Sequence, residues 1–230
     1  MCIRDSYKWV DARAPALLAR EGAVLLMYGR EPEKVAFLNR VKYAAWSLVF
    51  LIQTNMWRVV ESEMKIEGEF VDVPIKGVAD LVLERGRDKA VIDLKWKGGN
   101  WRKDLIRNRE DLQLVIYSKL LAEKTDNVHS AFFIIQDGTM IGRNNLAFSQ
   151  VTGILQDEDH KKIDQEIWFQ MRKTYEWRVK QLKAGKIEVR TEQTVPDLEI
   201  DYGEESLDVL EMKNSESKFD EYRVLINCVE

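Results

Sequence analysis

The chain has 230 residues, of which 45% are hydrophobic and 32% are charged, and its formal net charge is −4. This length supports one large domain with a buried core, and the composition excludes an intrinsically disordered chain. Two cysteines and two histidines exclude a disulfide framework or a four-cysteine zinc or iron–sulfur site within this chain, and leave little room for a zinc enzyme. We therefore expect any metal ion to be a hard cation on carboxylate oxygens.

Residues 1–6 resemble the translated end of a sequencing adapter, so we expect them to be non-native and the natural protein to extend further upstream. They lack the sustained apolar core of a signal peptide. No uninterrupted apolar run approaches the ~20 residues that span a bilayer. We expect a cytoplasmic protein with no membrane partner.

Residues 7–56 are predicted to form an N-terminal helical part. Alanines and leucines in 14–28 indicate a helix that Gly22 weakens, and Pro32 between two glutamates is typical of the start of a second helix. Apolar residues at three- to four-residue spacing extend this second helix to about residue 55. We expect it to be long and largely buried, with its aromatic side chains in the core: Phe37, Tyr43, Trp46 and Phe50.

Residues 57–190 are predicted to form the core of the domain. A strand over 57–70 is followed by two apolar runs, 77–84 and 89–96, which a short link containing Gly86 joins into a hairpin. If the turn is centred on Gly86 and Arg87, Asp80 lies directly opposite Asp93. Lys95 shares a face with Asp93, because side chains alternate along a strand.

Two carboxylates that face each other repel, so the hairpin predicts a bound cation between Asp80 and Asp93. The backbone carbonyl of Leu94 could add a ligand. Lys95 could orient an attacking water or stabilise developing negative charge. This arrangement suits the hydrolysis of a phosphodiester bond.

A glycine-rich turn over 97–102 is not a phosphate-binding P-loop, because it lacks the Gly-Lys-Ser/Thr sequence. A helix is predicted over 104–124, with Arg109, Gln113 and Tyr117 spaced four residues apart on one stripe that faces the acids.

Beyond this helix, a strand over 129–136 should turn at Asp137 and Gly138 into a strand over 139–141. A helix over 163–184 should end at Gly185. Residues 191–230 carry twelve acidic and three basic residues and are expected to form an acidic tail.

Basic residues are concentrated around the predicted hairpin, although the net charge is negative. Residues 85–109 contain nine basic and three acidic side chains, which could attract a polyanion. Trp96 and Trp101 could stack on bases, but structural packing is the favoured interpretation. The residues expected to contact DNA phosphates are Lys97, Arg102 and Arg109.

Three motifs in this order resemble those of the PD-(D/E)XK nucleases, and most closely the RecB/AddB-type exonuclease-like branch. They are Gly77-x-x-Asp80, Ile92-Asp93-Leu94-Lys95 and Gln113-x-x-x-Tyr117. The resemblance covers about residues 57–141. It implies an α/β restriction-endonuclease-like fold, in which helices flank a mixed central sheet.

The resemblance also implies a magnesium-dependent nuclease, with Mn²⁺ as an alternative metal. Asp80 and Asp93 would bind the metal and Lys95 would be catalytic, while Gln113 and Tyr117 would complete the site. Glu63 resembles an upstream acid of the family, and Glu61 competes for that position. The family's upstream histidine motif has no match, and the cysteines of its iron–sulfur subgroup are absent, so no cluster is expected.

DNA is the partner that the resemblance implies, in repair, recombination or defence, with a helicase subunit as a further candidate. The alternative is an inactive nuclease-fold module that binds DNA or acts as a scaffold in a helicase–nuclease complex. Intact Asp80, Asp93 and Lys95 argue against that alternative. A carboxylate site for a small phosphorylated molecule is a third interpretation, and it predicts no affinity for DNA.

Overall fold

The computed structural model describes residues 3–122, 125 and 127–185. The chain divides into two units, Met1–Ile167 and Trp168–Glu230. Helix α5 (His160–Lys183) begins in the first unit and continues into the second. It is followed by Gly185, whose φ of +75° fits the predicted C-cap glycine. The predicted acidic tail, 191–230, lies outside the described residues.

Two helices form the N-terminal part of the first unit. Helix α1 (Ile3–Glu21) is followed by a short 3₁₀ helix (Ala23–Leu26) and by α2 (Glu31–Thr54). The helix expected over 14–28 is therefore wrong in its bounds, because it starts earlier and ends before Gly22. Helix α2 begins where Pro32 predicts it.

Helix α2 buries one face only, so the expectation of a largely buried helix was wrong. Its buried residues are Ala44, Ser47, Leu51 and Ile52. Tyr43 and Phe50 are 43% and 45% exposed. Phe50 stacks on Trp46 and Tyr43 makes a tilted contact with the same ring, instead of entering the core. Helix α2 is also long and apolar enough to cross a membrane, but its buried face packs against the central sheet.

Within the described part of the chain, six strands form one mixed sheet in the order β1-β2-β3-β4-β5-β6. Strands β3 and β4 pair in parallel, as do β5 and β6, and the other neighbours are antiparallel. The predicted mixed sheet flanked by helices is confirmed. The strands are β1 (Arg58–Phe70), β2 (Val73–Arg85), β3 (Asp88–Lys95), β4 (Asn127–Ile134), β5 (Thr139–Gly142) and β6 (Thr152–Gly153).

The central strand β3 has a different helix on each face. Ala90 and Ile92 pack in the core cluster that contains the buried residues of α2. Val91 packs with Tyr117 of helix α4 (Leu112–Ala122), and Ile106 of helix α3 (Gly99–Arg107) packs nearby on β4 and β5. Because side chains alternate along a strand, Asp93 shares the α4 face with Val91.

The turn between β4 and β5 requires glycine at position 138. Gly138 has a φ of +61°, and a Cβ there would lie 2.6 Å from a ring carbon of Tyr43. Ser47 Oγ donates a hydrogen bond of 2.5 Å to the Gly138 carbonyl. This close approach joins α2 to the end of the central sheet.

His129 should make the fold sensitive to acid. It stacks on His160 and meets the edge of Trp57, and burial lowers the pKa of His129 to about 4, with His160 adding to the effect. The unfolded chain binds this proton at a pKa near 6.5, so the free energy of unfolding should fall by up to about 3 kcal/mol as the pH drops from 6.5 to 4.

Urea unfolding of His129→Gln at several pH values tests this. The variant should show a smaller loss of stability over that pH range than the wild type. An unchanged loss would show that other groups are responsible.

Candidate active site

Strands β2 and β3 pair in the register that the sequence predicts. Gly86 begins the turn with a φ of +63°, and the paired positions continue as far as Leu81 opposite Ile92. Asp80 and Asp93 occupy the next position, immediately after the last pair of the ladder. The register of the five pairs in this ladder therefore agrees with the predicted opposition of the two acids.

Asp80 bridges the two strands where the ladder ends. Its Oδ2 accepts a hydrogen bond of 2.6 Å from the backbone N–H of Leu94. The N–H and C=O groups of one strand residue point towards the same neighbouring strand. The carbonyl of Leu94 is thus directed towards the Asp80 side, as its candidate role requires.

Asp93 is buried next to a lysine. Its side chain is 1% exposed, and Lys95 Nζ lies 2.7 Å from Asp93 Oδ2. Burial raises the pKa of Asp93 and the charge of Asp80 adds to this, whereas Lys95 and Arg102 act in the opposite direction. The acid pair is thus placed where a further positive charge is electrostatically favoured.

Arg102, in the first turns of α3, brings a second cation towards Asp93. Its guanidinium lies 3.9 Å from the centre of the Trp101 ring and 5.4 Å from that of Phe132. Burial lowers the pKa of Arg102, and Asp93 opposes that shift. The charge of Arg102 therefore favours the ionised form of Asp93. Arg102 is also a candidate for phosphate binding.

Gln113 and Tyr117 connect α4 to the strand that carries Asp80. The Tyr117 hydroxyl donates a hydrogen bond of 2.9 Å to the carbonyl of Val78, two residues before Asp80. Gln113 Nε2 in turn donates to the Tyr117 oxygen at 2.9 Å. Tyr117 is buried and Gln113 is exposed. These contacts give Tyr117 a positioning role in the site.

The single helix predicted over 104–124 was wrong. Helices α3 and α4 are separated by a Schellman motif with Arg109 at a φ of +60°. The N–H of Arg109 donates to the carbonyl of Ile106, and that of Glu110 donates to the carbonyl of Leu105. Arg109 therefore does not share a helical stripe with the other two residues of the predicted set.

Arg109 forms two ion pairs within the protein. Its guanidinium nitrogens lie 2.7 Å from Glu158 and 2.6 Å from Glu166. Arg109 thus belongs to an intramolecular ion-pair network, and its contact with DNA stays a prediction. Lys97 is exposed two residues after the end of β3 and keeps its candidate role.

The predicted basic segment, 85–109, does not form one surface. Arg85, at the hairpin turn, lies 4.3 Å from the centre of the Trp57 ring. Lys89 and Lys95 stand near opposite ends of β3, which places them roughly 20 Å apart. The cations relevant to the acids are those at the Lys95 end.

Glu63 is exposed on β1, at an irregular position with a φ of +54°. Within the described ranges 3–122, 125 and 127–185, no group of three or more His, Cys, Asp or Glu side chains is placed to hold a metal ion. The structure thus does not bring Glu63 or its competitor Glu61 into a three-acid site.

The candidate ligands that remain would fit magnesium. They are the carboxylates of Asp80 and Asp93 and the carbonyl of Leu94. Mg²⁺ commonly binds through one or two carboxylates, retains several waters and uses substrate phosphates as further ligands. The all-oxygen donor set and the buried, destabilised carboxylate of Asp93 both suit such an ion.

A buried ion-pair network at the start of α4 was missed by the sequence reasoning. Arg143 Nη2 lies 2.6 Å from Asp111 Oδ2, and Arg143 Nη1 contacts Asp164. Burial raises the pKa of Asp111, and Arg143 opposes this shift. The network holds the first turn of α4, and an Asp directly before a helix is the sequence feature that could have indicated it.

Comparison with known families agrees with this geometry. The family model described as the PD-(D/E)XK nuclease superfamily matches residues 4–194, which is most of the chain. The chain belongs to the PD-(D/E)XK nuclease superfamily. Comparisons with curated proteins and with solved structures gave no match. PD-(D/E)XK membership and the mixed sheet confirm the α/β restriction-endonuclease-like fold, whereas the RecB/AddB branch stays a prediction.

Replacing Asp93 in this PD-(D/E)XK chain should distinguish the effect of this carboxylate on stability from its effect on metal binding. Asp93→Asn removes a buried charge, so the metal-free variant should melt at the wild-type temperature or above it. Saturating Mg²⁺ should raise the melting temperature of the wild type, because only the folded state has the site, and leave the variant unchanged. Thermal melts with and without Mg²⁺ measure both effects. An equal Mg²⁺ response in the two proteins would exclude Asp93 as a ligand.

Replacing Tyr117 should mainly loosen the connection between α4 and β2. Tyr117→Phe should lower the free energy of unfolding by about 1 kcal/mol, because the Val78 carbonyl loses its donor. Any nuclease activity should fall by no more than about tenfold. Gln113→Ala is the exposed control, expected within about 0.5 kcal/mol of the wild type. Full loss of activity in Tyr117→Phe at unchanged stability would show that the hydroxyl takes part in the chemistry.

Proposed function

We propose that this chain is a metal-dependent nuclease that hydrolyses the phosphodiester bonds of DNA. One observation carries the proposal: Asp80, Asp93 and Lys95 meet where the ladder between β2 and β3 ends, in a member of a nuclease superfamily. An Asp buried to 1% exposure is costly for stability alone, which favours a functional reason for its position.

Asp80, Asp93 and the Leu94 carbonyl would hold Mg²⁺, with Mn²⁺ as a substitute. When bound, such an ion lowers the pKa of a coordinated water and offsets charge on the phosphoryl oxygens. The side chain of Asp80 is kept in place by the Leu94 N–H, and that of Asp93 by the packing of β3. The two ligands therefore need little reorganisation.

Lys95 supplies a positive charge on the same face as Asp93. Its side chain is 28% exposed, so it can reach both the buried carboxylate and a substrate at the surface. In the proposed reaction it orients the attacking water or stabilises the negative charge that develops on the phosphoryl group. Tyr117 acts through β2 by fixing the backbone before Asp80.

Binding of the polyanion would depend on local charge, because the whole chain carries a net charge of −4. Arg102 interacts electrostatically with Asp93, and Lys97 is exposed shortly after β3, so both could pair with backbone phosphates. Resemblance to the RecB/AddB branch supports a cytoplasmic role in repair, recombination or defence, with a helicase subunit as partner.

The proposal predicts that Lys95→Ala lowers Mg²⁺-dependent cleavage about 10²- to 10³-fold, the usual effect of removing one group that stabilises transition-state charge. Asp93→Ala should abolish cleavage. Lys89→Ala is the matched control on the same strand and should keep wild-type activity. Gel assays on linear duplex and single-stranded DNA, with Mg²⁺ or with a chelator, measure the rates.

The other outcomes separate the competing functions. Cleavage that survives both Asp93→Ala and Lys95→Ala would place the active site elsewhere. DNA binding by the wild type without any cleavage would support the inactive scaffolding module. Hydrolysis of small phosphorylated molecules with no affinity for DNA would support a different substrate class.

A further inference from the structure

An exposed tryptophan lies beside the candidate acids. Trp101 is 53% exposed in the first turn of α3. Packing was expected for both Trp96 and Trp101. It is found for Trp96, whose ring stacks on Phe37 with the centroids 5.2 Å apart. Trp101 instead keeps about half of its surface in water.

A chain of contacts links Trp101 to the acids. The Arg102 guanidinium lies 3.9 Å from the centre of the Trp101 ring and 5.4 Å from that of Phe132. Phe132 is the direct partner of Asp93 in the β3–β4 ladder. Arg102 therefore contacts both the Trp101 indole and Phe132, and Phe132 pairs with the candidate metal ligand Asp93.

The arginine also determines what this indole can bind. The Arg102 guanidinium over the Trp101 ring restricts the rotation of the indole and adds a positive charge beside the exposed ring surface. A ligand that pairs an aromatic ring with a negative charge matches this combination. An unpaired nucleotide has both, because its base is flat and its backbone carries phosphate.

We propose that Trp101, supported by Arg102, is a base-stacking platform that gives this site a preference for single-stranded DNA. The inference rests on the proposed nuclease function. Bases in a duplex are already paired and stacked, so their faces cannot reach an indole at the protein surface. An unpaired base can stack there, and such stacking contributes about 1–3 kcal/mol per base.

The chain contains a matched control for this position. Trp9 on α1 is also 53% exposed, and its ring is covered by Arg13 with the guanidinium carbon 5.1 Å from the ring centre. Trp9 and Trp101 therefore share the residue type, the exposed fraction and an arginine over the ring. The difference on which the test depends is their place in the fold, because Trp101 is near the acids and Trp9 is on α1.

The test measures binding by the full chain without divalent cations, so that no cleavage takes place. Fluorescence anisotropy would compare a labelled oligothymidylate, an abasic chain of equal length and a duplex. Trp101→Ala should weaken binding of the oligothymidylate about 5- to 100-fold. It should change binding of the abasic chain and the duplex by less than about twofold. Trp101→Phe should retain part of the binding, and Trp9→Ala should bind like the wild type.

Equal losses on the oligothymidylate and the abasic chain would overturn the proposal, because Trp101 would then act on the backbone or on the fold. Wild-type binding by Trp101→Ala would overturn it as well. In both cases the proposed nuclease function would stand. Absence of any nucleic-acid affinity in the wild type would instead refute the proposed function together with this inference.

Discussion

The contact between buried Asp93 and Lys95 is the constraint on which the site depends. A carboxylate removed from water is several kcal/mol less stable unless nearby charges compensate for it. Lys95, Arg102 and the proposed cation provide that compensation from one side of the sheet. The hydrophobic packing of β3 on both faces offsets the remaining cost. Burial of the Asp93 carboxylate thus lowers the free energy of unfolding at the position where catalysis is expected. Such a loss of stability is common at functional sites.

The elements around β3 each keep one part of this arrangement in place. Strand β2 supplies Asp80 at the end of a regular ladder, and α4 fixes the preceding backbone through the hydroxyl of Tyr117. Helix α3 brings Arg102 close enough to Asp93 for the two charges to interact. Helix α2 packs on the opposite face and leaves the acid face to α3 and α4. The residues of the candidate site therefore lie on strands and helices, except Lys97, which lies in the loop between β3 and α3.

Local sequence features predicted the parts of the structure that depend on near neighbours. The register of β2 and β3 follows from a two-residue turn with Gly86, and the start of α2 follows from Pro32. The break between α3 and α4 was missed because its left-handed residue is Arg109, which gives no glycine to indicate it. The partners of Arg109 lie about 50 residues away, and no local pattern shows such pairs. An apolar sequence likewise did not reveal which face of α2 the sheet covers.

The arginine between Asp111 and Asp164 has a consequence for the evolution of this chain. Because Arg143 compensates two buried carboxylates, losing the arginine leaves two buried negative charges without a counter-ion, and losing either aspartate removes an acceptor from the guanidinium. Substitutions accepted at these positions should therefore occur in concert, and the three columns should co-vary among homologues. Positions 80, 93 and 95 should instead be retained together, because the proposed reaction requires all three residues and Lys95 also compensates the buried charge of Asp93.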